Sequence, residues 1–386
     1  MRRAQSVLLA FAAVTLGAPP PAGTSDPGDL IAHEWGTFTS VAGEDGRAVE
    51  WLPLAGPSDL PCFVNDRSRW WIKRQLSGTV RMETPVIYFY ATADTRVDVR
   101  VRFRQGQITE WYPRADVTSP VVSSTVMRKP GFEGLIEWRD IDVLPRGRTD
   151  FPTNRGASHY YAARETDASP IQVGAEREKF LFYRGVASFT PPVAARVSGN
   201  GSIVVTSVGD DALGDVILFE NRAGRISYEV RRGATVEATF PAGVPEGTIE
   251  PLFAELRAIL IANELYPKEA DAMIATWRDS WFEEGTRVLY VVPPAVVDAI
   301  LPLDIDPRPR DVARVFVGRV EIVTPAMLRA VQAAITASDD GALRKYGRFL
   351  RPIAERLLAR STPAERAVIA DRVSSSATWS VPAACN

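Results

Sequence analysis

The most regular hydrophobic pattern in the chain runs from Arg96 to Arg104. Val97, Val99, Val101 and Phe103 alternate with Asp98, Arg100, Arg102 and Arg104. A period of two predicts a strand with one buried and one solvated face, so the arginine row reads as an outer surface. Gln105-Gly106 then separates this stretch from Gln107 to Pro113, which predicts a hairpin. Val86 to Tyr90 is continuously apolar and fits a strand covered on both sides. Shorter strands are expected at 135–143, 159–165, 179–183, 202–208, 216–220, 225–231 and 235–240. Gly199-Asn200-Gly201 and Arg222-Ala223-Gly224 supply hairpin turns. Many short strands with little helical periodicity predict a β-sandwich-like domain over residues 30–245.

The pattern changes after Pro245. Leu252, Leu256, Ile259 and Leu260 recur at helical spacing, and Ala270, Met273, Ile274, Trp277 and Trp281 form a second stripe behind Pro267. Pro267 suits a first helical position. Thr324-Pro325 and Thr362-Pro363-Ala364-Glu365 are helix starts, the latter with a capping-box glutamate. Strands are expected at 287–292 and 312–323. The expectation is an α+β chain in which a β-sandwich-like domain precedes a mainly helical C-terminal domain, residues 246–386, with a few strands.

Composition sharpens location more than chemistry. Arg2 and Arg3 precede an apolar run from Val7 to Ala18, then Pro19-Pro20-Pro21 and Ala22-Gly23. This order reads as an export signal over residues 1–23, and predicts a soluble mature protein in the periplasm or the medium. The formal charge of −2 is too mild for a nucleic-acid or polybasic membrane role, and no later run is long enough for an integral membrane segment. The two cysteines, Cys62 and Cys385, permit one long-range disulfide in an oxidising compartment, or two thiols.

Candidate chemistry gathers on the two histidines. His33 lies in Ile31-Ala32-His33-Glu34-Trp35-Gly36-Thr37-Phe38-Thr39-Ser40. Strand alternation puts His33, Trp35, Thr37 and Thr39 on one face and Glu34 on the other, which separates His33 from Glu34 as a dyad. His159 lies in a second stretch where Tyr161, Glu165 and Asp167 would share its face. A metal or acid/base site would combine His33 and His159 with Glu83, Glu165 or Asp167. Imidazole and carboxylate ligands suit a divalent ion such as zinc. Tyr161 or Thr37 would donate to a developing oxyanion. Two imidazoles on one zinc require ring nitrogens no more than about 4 Å apart.

Tryptophans mark a different kind of site. Trp35, Trp70, Trp71 and Trp111, with Thr37, would line a surface for a glycan or peptide, although Trp also serves as a core anchor. Glu34, Glu83, Glu110 and Glu137, on separate strands, make a carboxylate pair for glycoside hydrolysis a further reading.

The stretches His33–Thr39, Met82–Tyr90, Glu110–Pro113, Ser158–Ala168 and Thr276–Gly285 together resemble a group of uncharacterised exported bacterial proteins. The resemblance spans most of the mature chain and implies export, with no activity, ligand or catalytic residue attached. Two functions therefore stand side by side: a metal-assisted or acid/base hydrolase around His33 and His159, or a non-catalytic envelope protein that binds a glycan, peptide or partner.

Overall fold

The computed structural model describes residues 29–54, 60–66, 75–154, 158–243 and 246–376. Eleven strands and six helices carry the architecture. The strands are β1 (Ile31–Ala42), β2 (Val80–Tyr90), β3 (Thr95–Arg104), β4 (Gly106–Tyr112), β5 (Glu133–Val143), β6 (Leu181–Ala187), β7 (Gly214–Arg222), β8 (Arg225–Ala234), β9 (Gly285–Val291), β10 (Leu303–Asp306) and β11 (Asp311–Ile322). The helices are α1 (Glu250–Ala262), α2 (Pro267–Trp281), α3 (Pro294–Ile300), α4 (Pro325–Thr336), α5 (Leu350–Arg360) and α6 (Pro363–Ser376).

The expected division into a sandwich and a mainly helical domain is overturned. Strand occupies 39% of the structure and helix 27%, in large mixed sheets. β9 and β11 enter the same ten-stranded sheet as β1 and β2, in the order β8-β7-β9-β11-β1-β2-β6-β4, with Glu246–Gly247 and Asn65–Asp66 at its two edges. The C-terminal strands are thus central, not ornaments on a helical bundle. A six-stranded sheet containing β10, β3 and β5, and a three-stranded sheet, complete the β structure.

One face of the large sheet packs on the other two sheets. Phe38, Met82 and Phe316 join Val99, Phe103, Trp138 and Val205 in one core. The opposite face is covered by helices. Trp35 and Val315 pack with Met273 and Trp277 of α2, while Val41 and Val323 pack with Val331 of α4 and Ile353 of α5. Period-two alternation along β1 therefore feeds one core on one face and two on the other.

The expected hairpin between β3 and β4 does not form. β3 pairs with β5 and β10, whereas β4 pairs with β6, so the chain crosses between sheets at Gln105. Gln105 takes φ 50°, and a side chain on Gly106 would fall 2.6 Å from the Phe103 ring. The crossing lets Phe103 fill the space under the turn. By contrast, the Gly199–Gly201 and Ala223–Gly224 turns do join antiparallel neighbours. The arginine row of β3 faces outward and is matched by carboxylates, Arg96 with Asp142 and Arg100 with Glu137 among them.

β1 and β11 pair in parallel and in register from Ile31–Asp311 to Ala42–Ile322. Gly36 opposes Phe316, and a Cβ on Gly36 would sit 2.6 Å from that ring. Phe316 therefore lies over Gly36 and stacks on Phe38 at 4.9 Å. Gly36→Ala is expected to lower stability by about 1–3 kcal/mol through overpacking. Urea denaturation with an unchanged slope and a lower midpoint would bear this out; an unchanged midpoint would contradict the packing account.

Candidate functional site

The structure separates the two histidines. His33 is buried on β1, and its Nδ1 lies 2.8 Å from Glu269 Oε2 in the first turn of α2. Tyr90 donates to Glu269 Oε1 at 2.8 Å, and the Tyr266 backbone N–H donates to Oε2 at 2.8 Å. The His33 ring lies 4.3 Å from Tyr266 and 5.5 Å from Tyr90, centroid to centroid. Burial, then Glu269, pushes the Tyr90 phenol up, so it stays a donor. The result is a closed imidazole–carboxylate–phenol cluster.

His159 is not on a strand. Residues His159–Arg164 form a 3-10 helix, begun by Ser158, whose hydroxyl accepts from the Tyr160 N–H. Its Nε2 faces Asp279 Oδ2 at 3.6 Å, in the last turn of α2. The carboxylates that meet His33 and His159, Glu269 and Asp279, are ten positions apart on α2, about 15 Å along the axis. Among the described residues no group of three His, Cys, Asp or Glu is arranged to hold a metal ion. The proposed zinc pair is thereby replaced by two separate histidine–carboxylate contacts on one helix.

The other expected residues scatter. Tyr161 accepts from the Asn154 N–H at 2.8 Å and flanks the Arg164 guanidinium, whose carbon is 4.9 Å from the ring centroid. Arg164 in turn holds buried Glu178, so this stretch is a packing device. Glu165 is exposed at the end of the 3-10 helix, and Asp167 pairs with Lys268. Trp35 and Trp111 are core residues, while Trp70 and Trp71 lie outside the described residues. Thr37 is buried with its hydroxyl lacking a hydrogen-bond partner among the described residues. Cys62 is disulfide-bonded, and Cys385 lies outside the described residues.

Glu83 belongs to a buried ionic cluster. β2 bulges opposite Gly36, with Thr84 at φ 48°, so the pairing jumps from Trp35–Val86 to Thr37–Glu83. This aims Glu83 at Arg81 and Arg348, and its other oxygen accepts from Thr39 at 2.7 Å. Burial alone would raise the carboxyl; Arg348, Arg81, Arg319 and Thr39 outweigh it and bring it down to about 2. Arg319 also contacts Glu283 and Glu321, and Arg287 donates to Glu321 at 3.0 Å. The four acids read as a glycosidase candidate are each occupied too: Glu34 by Arg314 and Tyr183, Glu110 by Thr109, and Glu137 by Arg100 and Arg139.

An open groove lies elsewhere. A groove of about 810 Å³ is lined by Asn263 and Glu264, by Asp298 of α3, by Leu303–Ile305 of β10, and by Val312, Arg314 and Val315 of β11. Its central cation is held from below. Arg314 donates to Glu34 at 2.7 Å and to Asp298 at 2.7 Å. Burial opposes the Arg314 charge, and Glu34 more than compensates. Sequence reasoning missed the groove because its walls come from four segments. It also missed Glu269, although a glutamate two residues after Pro267 marks the first turn of a helix.

No protein-family model matches the chain, and a search of curated proteins finds no match. No helix among the described residues is long and apolar enough to cross a membrane.

Two stability predictions distinguish the buried from the exposed contacts. His33→Ala removes one of the three hydrogen-bond partners of buried Glu269, leaving Tyr90 and the Tyr266 N–H, and is expected to cost roughly 1–3 kcal/mol, whereas His159→Ala should stay within about 0.5 kcal/mol. Equal losses in urea denaturation would contradict this. For Glu83, a carboxyl held at about 2 in the fold contributes stability that is full above its ordinary pKa of 4.5 and lost as pH falls through about 2. Glu83→Gln should therefore lose about 3 kcal/mol at pH 7, with the gap to the unmodified protein narrowing below about pH 4.5. A pH-independent gap would remove the ionic explanation.

Proposed function

We propose that the protein is an extracytoplasmic binding protein whose ligand occupies the groove beside β11. The observation that carries this reading is the position of that groove, where β11 runs on past the end of β9. Its volume falls within the range of small-ligand and peptide sites, about 300–1,000 Å³. Among the described residues lining it there is no Ser, Thr, Tyr, Cys, His or Lys. Carboxylates, two arginines and an unpaired strand edge favour recognition over nucleophilic chemistry. The basic–apolar–proline order of residues 2–21 supports action outside the cytoplasm.

A hydrolytic reading retains one supporting observation. Glu269 orients the His33 imidazole as a carboxylate orients a general base. Against it, His33 is only 3% exposed and is covered by Tyr90 and Tyr266. Substrate access would require those rings to move.

Hydrogen-exchange mass spectrometry separates the two. Mature protein is mixed with a tryptic digest of casein and, separately, with a mixture of chito- and cello-oligosaccharides. Slowed exchange confined to residues 262–264, 303–305 and 312–315 is the expected result with at least one mixture. Protection centred on His33, Tyr90 and Glu269, or no protection with either mixture, would overturn the groove assignment.

A further inference from the structure

We propose that the groove takes an extended, cationic polypeptide segment, added as a strand against β11 in the lane that β9 leaves at Pro293. This rests on the groove reading above and gives it a ligand class.

The backbone supplies the first argument. β11 pairs with β1 along its whole length, Ile31–Asp311 to Ala42–Ile322, but with β9 only from Val317 to Ile322. The Val292 N–H donates to the Phe316 carbonyl at 2.8 Å, so even-numbered residues of β11 address the β9 side. Two and four residues earlier, Arg314 and Val312 direct their backbone N–H and C=O groups the same way, with no strand of the described residues paired beside them. Pro293 turns the chain into α3 at that point. An edge of this kind is a template for strand addition.

The opposite wall repeats the feature. β10 pairs with β3 on one side only and is the edge strand of the six-stranded sheet. Two strand edges from different sheets thus border one groove. Val312 is 40% exposed, one of few large apolar side chains so open among the described residues. With half-buried Leu303 and Ile305 it offers apolar contacts to alternate residues of an added strand.

Charge selects the occupant. Arg314 is matched to buried Glu34 and so is not free to attract an anion. Asp298 shares Arg314 with Glu34, and Asp304 lies 3.4 Å from Arg102, so Glu34, Glu264, Asp298 and Asp304 stand against Arg102, Arg308 and Arg314, one negative charge in excess. That balance favours lysine or arginine on the ligand and disfavours an acidic segment. The stretch before Phe316, residues 311–315, would accommodate a segment of about five residues at about 3.3 Å each.

The test uses fluorescein-labelled Lys-Val-Lys-Val-Lys-Val and Glu-Val-Glu-Val-Glu-Val, read by anisotropy with the full mature protein at low salt. The expected result is binding of the lysine peptide at least tenfold tighter than the glutamate peptide, weakening as salt is raised. Val312→Pro removes a donor that faces the groove and leaves the β1 side unaltered; it should weaken binding by about tenfold. Because that variant could perturb β11, the unmodified protein is also read by hydrogen exchange, where the lysine peptide should slow the Val312 and Arg314 amides. Equal binding of both peptides with those amides protected would overturn the cationic preference and leave the groove reading standing. Undiminished binding to Val312→Pro, with neither amide protected, would overturn strand addition. Absence of binding by both peptides, or self-association of the chain through the same two amides in sedimentation, would overturn this proposal; if the casein and oligosaccharide mixtures also leave the groove unprotected, the groove reading falls with it.

Discussion

The parallel pairing of β1 with β11 is the contact on which the remaining architecture depends. It joins residues 280 positions apart in twelve consecutive register steps, and it seats the first strand of the fold beside the last. From this pairing follow Glu34 beside Arg314, Gly36 beneath Phe316, and Thr39 beside Arg319. The sheet then grows outward in both directions through antiparallel neighbours. Gly36 opposes Phe316, and Gly318 opposes Tyr290 of β9, so each of these rings lies over a residue with no side chain. Such close complementarity admits little lateral adjustment.

Buried charge fixes the same register by another route. Glu83, Glu321, Arg287 and Arg319 are all nearly or fully buried, yet each has an ionic partner. Moving β11 by one residue would send Arg319 to the opposite face, away from Glu283 and Glu83 and into the apolar core of Phe38 and Met82. The cost of an unpaired buried guanidinium far exceeds that of a misplaced methyl group. The cluster is therefore better understood as choosing one alignment than as adding net stability.

Local patterns in the chain identified most elements, because local physics produced them. The alternation from Val97 to Phe103, the Ala223–Gly224 turn and the Thr324 cap each arise from a few neighbouring residues. What the pattern could not show was which strand pairs with which. β9 and β11 look like isolated strands among helices, and only long-range pairing makes them central. The reading of His159 on a strand failed because Ser158 caps a short 3-10 helix there. His33 was correctly separated from Glu34 by alternation, but its partner Glu269 stands 236 residues away. In the structure the residues of the His-Glu-Trp-Gly-Thr-Phe-Thr stretch meet five different surroundings. One residue meets a helix start, one an arginine, one the core, one a ring and one a bulged strand.

The β1–β11 pairing also sets an order of events for the growing chain. β1 is made early, yet the strand that covers one whole side of it is not complete until residue 322. Until then β1 and β2 expose an open edge and a row of polar groups whose partners do not exist. Contacts of such sequence separation are closed late and slowly. A chain still short of residue 322 therefore carries an early edge that must be kept from pairing with other chains.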